Sequence, residues 1–122
     1  KGDHKIILDA YNANPTSMNA ALLNFEKQQG KKIAVLGDMF ELGNDAENEH
    51  QYIADLAISL NIDQIIFVGE NFFKTKLEDN RIKQFRTFDD FKNNTDFSKL
   101  NFETILIKGS RGMALERTLE NV

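Results

Sequence analysis

The sequence predicts an α/β domain whose open, mainly parallel sheet carries helices on both faces, a Rossmann-like arrangement. Three observations predict it. Apolar runs of strand length recur along the whole chain. Longer stretches of helical period separate them. The runs are also continuous rather than alternating, which is the pattern of strands buried on both faces.

The elements follow in order. Ile6-Ile7-Leu8 is the first strand. Asn14 followed by Pro15 signals a helix start, because Asn caps well and Pro gives up no hydrogen bond at the first helical position. That helix is expected over 14–29, with Met18, Ala21, Leu22 and Phe25 on its core face and Gly30 as its stop. Ile33-Ala34-Val35-Leu36 is the second strand, closed by Gly37. A loop over 38–44 leads to a helix over 46–60, with Ile53, Leu56, Ala57 and Leu60 facing inward. Asn44 and Glu47 have the spacing of a capping box at its start. Ile65-Ile66-Phe67-Val68 is the third strand, ended by Gly69. A short helix is expected over 72–77, a fourth strand within 82–88 and another short helix over 89–97. Thr104-Ile105-Leu106-Ile107-Lys108 is the last strand. Gly109-Ser110 then turns the chain into a final helix through Met113, Leu115 and Leu119. No repeat, low-complexity tract or Pro/Gly-rich linker interrupts this pattern, so a single domain is expected over 1–122.

Composition narrows the function classes. The hydrophobic fraction of 41 % and the charged fraction of 28 % suit a water-soluble domain with a core. A net charge of −4 without a basic stripe argues against nucleic acid as the main partner. No run of 18 apolar residues is present, so no membrane partner is expected. With no Cys there is neither a disulfide nor a thiolate metal site, which fits a reducing cytoplasm as the expected location. The chain opens on Lys1-Gly2-Asp3-His4 without an initiating Met and reads as a piece of a longer polypeptide.

In a sheet of this kind ligands bind outside the carboxyl ends of the strands. The polar residues gather there. The first strand runs into Asp9-Ala10-Tyr11-Asn12-Ala13-Asn14-Pro15, whose helix start offers free N–H groups to an anion. The plainer reading is that Asn14 only caps a helix and Asp9 only ends a strand. The second strand runs into Gly37-Asp38-Met39-Phe40-Glu41-Leu42-Gly43. Asp38 and Glu41 suit an ammonium group, while the apolar members of the loop suit an anchor on the core. The last strand ends in Lys108-Gly109-Ser110-Arg111-Gly112, which reads either as an anion site or as a basic surface turn. The G-x-x-x-x-G-K-[ST] spacing of a phosphate-binding loop is absent. His50 lies one turn into the second helix, either solvated or touching a ligand. No His, Asp or Glu cluster has metal-ligand spacing, and no Ser-His-Asp arrangement is supported.

Taken together, the Asp9–Pro15 stretch with Ser17-Met18, the Val35–Gly43 stretch with His50, and Lys108-Gly109-Ser110-Arg111 resemble the Mur ligase family, within it the members that add D-alanyl-D-alanine. Each stretch is short. Their order, and the strand before each, carry the resemblance. Residues 71–103 add no motif to it. The resemblance implies a three-domain ATP-dependent ligase of which this chain is the third domain, with no catalytic residue of its own. It implies ATP and Mg²⁺ as cofactors, held mainly by a central domain that carries the phosphate loop. It implies UDP-N-acetylmuramoyl-tripeptide and D-alanyl-D-alanine as substrates, joined through an acyl phosphate in peptidoglycan synthesis. The N-terminal and central domains of the same chain would be its partners.

Carried over by position, Asp9 would face the ATP ribose, and Tyr11, Asn12 and Asn14 would lie near the nucleotide or its phosphates. Lys108, Ser110 and Arg111 would meet substrate carboxylates. Asp38 and Glu41 would lie near the amine, with His50 beside them. Relatives that add other amino acids often carry His in the first loop, where this chain is amide-rich. Two rivals stand beside this reading. A flavodoxin-like phospho-acceptor domain also places carboxylates after early strands and a Lys after the last, but its acceptor Asp follows the third strand, where this chain has Gly69-Glu70-Asn71. A stand-alone nucleotide-binding module lacks its G-x-G-x-x-G here.

Overall fold

A computed structural model describes residues 4–122. The Lys1-Gly2-Asp3 part of the polar lead-in lies outside them. Five strands make up one sheet: β1 (Lys5–Asp9), β2 (Lys32–Gly37), β3 (Gln64–Val68), β4 (Ile82–Phe85) and β5 (Thr104–Lys108). Their order is β1-β5-β2-β3-β4, and every pairing is parallel. The helices are α1 (Pro15–Phe25), α2 (Ala46–Ser59), α3 (Glu70–Phe73) and α4 (Phe88–Asn93).

The strand order explains which face each helix covers. The chain steps in one direction from β1 to β2, β3 and β4, then jumps back to insert β5 between β1 and β2. Right-handed crossovers in opposite directions must pass on opposite faces. On the first face, Met18, Leu22 and Phe25 of α1, Ile53, Ala54 and Ala57 of α2, and Phe72 of α3 pack on Ala34, Leu36, Ile65, Phe67 and Leu106. On the second, Phe88 and Phe91 of α4 join Phe102 and Leu115 over Ile33, Val35, Ile66, Val68, Ile105 and Ile107. The continuous apolar runs of the sequence are thus split residue by residue between two cores. Each buried Phe or Leu contributes about 1.5–3 kcal/mol. β1 lies at an edge, and Ile6 and Leu8 remain partly exposed there.

Several expectations are corrected. α1 ends at Phe25 instead of 29; beyond it Lys27 and Gln28 close tighter turns on the carbonyls of Asn24 and Phe25, and the buried Lys32 ammonium takes the carbonyls of Glu26 and Gln28 at 3.0 and 2.9 Å. Asn44 does not cap α2. It lies inside a 3₁₀ turn, Gly43–Asp45, that runs directly into the helix, so no residue there has the extended backbone that a side-chain cap requires. α2 closes at its other end on Arg81, whose guanidinium reaches the carbonyls of Ile58, Leu60 and Ile62 and is fixed by Asp79 at 2.8 Å. α3 begins at Glu70, earlier than expected. The final segment is not an α-helix. It forms two 3₁₀ stretches, Arg111–Met113 and Leu115–Glu120, parted by Ala114 in the left-handed region at φ 50°. Among the described residues no helix is long and apolar enough to cross a membrane.

Candidate functional site

Asp9, Gly37, Val68 and Lys108 end β1, β2, β3 and β5 side by side. Asp9 is in register with Lys108, Lys108 with Leu36, and Gly37 with Val68. The three loops singled out in the sequence therefore meet at one edge, as expected. Their side chains divide into two groups.

One group is turned inward and holds the loops together. Asp38 is 3 % exposed, and its two carboxylate oxygens accept the N–H groups of Asn71 at 2.8 Å and Phe72 at 3.0 Å. That bond starts α3, the helix that the sequence placed too late. His50 is fully buried. Its Nε2 accepts from the Met39 N–H at 2.9 Å, so Nδ1 carries the proton toward the Ala46 carbonyl at 2.7 Å. Ser110 Oγ accepts from the Phe40 N–H at 3.0 Å, while the Ser110 N–H donates to the Asp38 carbonyl at 3.1 Å. Lys108 is 1 % exposed, and its Nζ donates to Asp9 Oδ2 and to the Asn12 carbonyl, each at 2.7 Å. Asp38, His50, Lys108 and Ser110 are thus each hydrogen-bonded within the protein. A polar residue after a strand finds a buried partner here because three loops crowd one edge.

The other group faces out. Tyr11 is 65 % exposed, and Asn12, Asn14, Glu41 and Arg111 are also at the surface. Asn14 spends its side-chain oxygen on the Ser17 N–H at 2.8 Å, and the Ser17 hydroxyl answers by accepting the Asn14 N–H at 3.0 Å. This is a reciprocal cap in which Ser replaces the usual Glu. Asp9 is half exposed. The hydrogen bond from Lys108 holds its carboxyl below the usual carboxylate range, burial opposes that, and the Tyr11 and Asn12 N–H groups reinforce it.

Two clefts open on this edge. The smaller, about 230 Å³, lies among Tyr11, Asn12, Phe40, Glu41, Ser110 and Arg111, with the Arg111 guanidinium 5.9 Å from the Tyr11 ring. The larger, about 420 Å³, lies among Phe40, Glu70, Asn71, Arg86, Gly112 and Arg117. Phe40 and Gly112 border both. A Cβ on Gly112 would stand 2.6 Å from the Phe40 ring, so Gly there lets the ring close the ridge between the clefts. Arg86 pairs with Glu70 at 3.3 Å and lies 4.5 Å from the Phe73 ring, and Arg117 lies 4.1 Å from the Phe88 ring. Sequence reasoning missed Glu70, Asn71, Arg86 and Arg117. Gly69-Glu70-Asn71 after the third strand was the available signal for the first two. Arg86 and Arg117 sit in stretches without a motif. Among the described residues no group of three His, Asp or Glu is arranged to hold a metal ion.

Comparison with known proteins supplies the relationship. Residues 1–111 match the family model described as Mur ligase, glutamate ligase domain. The chain is 35 % identical to the UDP-N-acetylmuramoyl-tripeptide–D-alanyl-D-alanine ligase of Buchnera aphidicola, over 98 % of this chain and 27 % of the relative. It superposes on a crystal structure of MurF from Acinetobacter baumannii with a TM-score of 0.83 at 35 % identity, covering 98 % of this chain and 27 % of that one. It also superposes on MurF ligase from Thermotoga maritima in complex with ADP, with a TM-score of 0.79 at 27 % identity, covering 98 % and 28 %. The chain thus spans about a quarter of the length of the relatives it matches. Sequence, fold and the loops at the sheet edge agree, and this chain belongs to the Mur ligase family.

Proposed function

We propose that this chain is the C-terminal domain of a three-domain ATP-dependent ligase that adds D-alanyl-D-alanine to UDP-N-acetylmuramoyl-tripeptide. The observation that carries the reading is the pair of clefts on one edge, parted by Phe40. They differ in chemistry. Beside the smaller lies the half-exposed, ionised Asp9 with Tyr11 and Asn12, groups that suit a ribose and a base. The larger has Arg86 and Arg117 to meet the carboxylate of a dipeptide and Glu70 to meet an ammonium.

In the reaction the tripeptide carboxylate takes a phosphoryl group from ATP. The uncharged amine of the dipeptide then attacks the acyl carbon, a C–N bond forms, the C–O bond to phosphate breaks, and the amine loses its proton. Such a reaction needs the amine held in attack geometry with water excluded. Here the rigid edge would deliver the dipeptide and cover the nucleotide as the domain closes. On this reading Mg²⁺ and the phosphates are held mainly by the central domain.

Steady-state kinetics of the full-length ligase, each substrate varied in turn, test the assignment. Asp9→Ala should lower kcat/KM for ATP about 10- to 100-fold, the loss of one charge-assisted hydrogen bond of about 1.5–3 kcal/mol. Arg86→Ala and Arg117→Ala should raise KM for the dipeptide instead. If all three variants melt normally and keep wild-type constants, neither cleft binds what is assigned to it.

A further inference from the structure

Two lysines are buried among the described residues, Lys32 and Lys108. Lys32 works at the amino end of the sheet, clamping two carbonyls beyond α1. Lys108 works at the carboxyl end, and its two partners belong to the loop that the proposed function assigns to the nucleotide. Burying an ammonium is costly unless its protons are taken, so a Lys kept in this place holds something in position.

The geometry shows what is held. Asp9 and Lys108 are register partners on neighbouring strands, so the strands themselves fix the ion pair. Nζ reaches past the carboxylate to the Asn12 carbonyl, three residues further along the loop. The backbone N–H groups of Tyr11 and Asn12 also help hold the Asp9 carboxyl below its usual range. The Lys108 ammonium thus ties the carboxylate at one end of the Asp9–Asn12 turn to the carbonyl at the other. Tyr11 and Asn12 project from it into the smaller cleft, and Asp9 keeps an exposed side.

We propose that Lys108 is a positioning residue of the nucleotide loop, locking Asp9 and the Asn12 carbonyl so that Asp9, Tyr11 and Asn12 meet the nucleotide in one arrangement. It touches neither the dipeptide nor the peptide carboxylate. This rests on the nucleotide reading of the Asp9 loop, and the two claims fail differently.

The test is a double-mutant cycle in the full-length ligase with Lys108→Met, Asp9→Ala and the pair, joined to amide hydrogen exchange. Lys108→Met keeps the buried stem and removes the charge. It should raise KM for ATP about tenfold and leave KM for the dipeptide unchanged. Added to Asp9→Ala, it should change the ATP constant by less than about threefold, because its partner is already gone. The Tyr11 and Asn12 amides should exchange faster in Lys108→Met. Effects of the two substitutions that multiply, or a tenfold rise confined to the dipeptide or the tripeptide nucleotide, would mean that Lys108 meets substrate itself. If Asp9→Ala leaves the ATP constants untouched, the nucleotide reading falls. Exchange then decides the positioning claim: unchanged Tyr11 and Asn12 protection in Lys108→Met overturns it. Should Lys108→Met melt early, Lys108→Gln, which retains a donor for the Asn12 carbonyl, carries the same comparison. Its ATP constant should lie between wild type and Met, and a Gln variant as impaired as the unfolded fraction alone predicts would refute positioning.

Discussion

Glu41 holds its backbone at φ 64°, a region that costs a side chain with a Cβ about 1–2 kcal/mol. It is exposed and lines the smaller cleft, and no hydrogen bond of its side chain offsets that cost in the described structure. Strain kept at a cleft without a structural return points to use by a ligand. Glu41→Gly should therefore leave the melting temperature unchanged or raise it by a few degrees, while lowering kcat/KM of the full-length enzyme about tenfold. A drop of more than about 3 °C would show that the Glu41 side chain stabilises the loop, and full activity would show that the strain serves nothing. At this scale the sequence was legible in part. That Asp9, Asp38 and Lys108 follow strands was visible in their neighbours. That Asp38 and Lys108 are used up inside the protein was not, because their partners come from 33 and 99 residues away. His50 shows the same limit. Position on a helix gave its spacing, but only the Met39 N–H arriving from another loop makes it a buried acceptor.

Elements with local causes were legible, and elements with distant causes were not. Asn14-Pro15 names the start of α1 from adjacent atoms, and the cap is found there. α3 has four residues, too few to hold a helix by propagation, and it exists where the Asp38 carboxylate takes its first N–H groups. Gly69 belongs to the same device. At φ 131° it turns the chain, and a Cβ there would run into the Asp38 carboxylate. The final segment has helical spacing at Met113, Leu115 and Leu119, yet Ala114 turns left-handed so that Leu115 can drop over Gly37 and Gly109, where only glycines leave room. These dependencies give Asp38→Ala a definite outcome. It strips the Asn71 and Phe72 N–H groups of a charged acceptor worth about 1.5–3 kcal/mol each, and the Phe72 N–H is buried away from water. Urea unfolding of the domain should show a loss of about 3 kcal/mol or more, with exchange protection lost first over 70–75. A loss under about 1 kcal/mol would mean that α3 is held by Phe72 packing alone.

Taken whole, the molecule is a rigid sheet that carries its polar groups at one end. The phospho-acceptor rival needs its acceptor Asp after the third strand, and β3 here runs into Gly69-Glu70-Asn71. Here Lys108 is bound to Asp9, and Asp38 is capped on both oxygens. There are two cores, one on each face: β2, β3 and β5 are covered on both sides, while the edge strands β1 and β4 are left partly bare. Chemistry is another matter. Phosphoryl transfer needs a cradle for the phosphates and a metal ion to offset their charge. The sequence has no phosphate-loop spacing, and among the described residues no group of three His, Asp or Glu is arranged to hold a metal ion. The prediction for the isolated domain follows from both halves. It should unfold in a single urea transition, with circular dichroism and amide exchange agreeing on the midpoint, as one cooperative domain. The same preparation should release no phosphate from ATP above buffer over hours, with or without Mg²⁺ and D-alanyl-D-alanine. A non-coincident transition would mean that the sheet depends on the rest of the ligase for its stability. Phosphate release that disappears in Asp9→Ala, and so belongs to this protein rather than to a contaminant, would overturn the division of labour and put part of the catalytic apparatus on this domain.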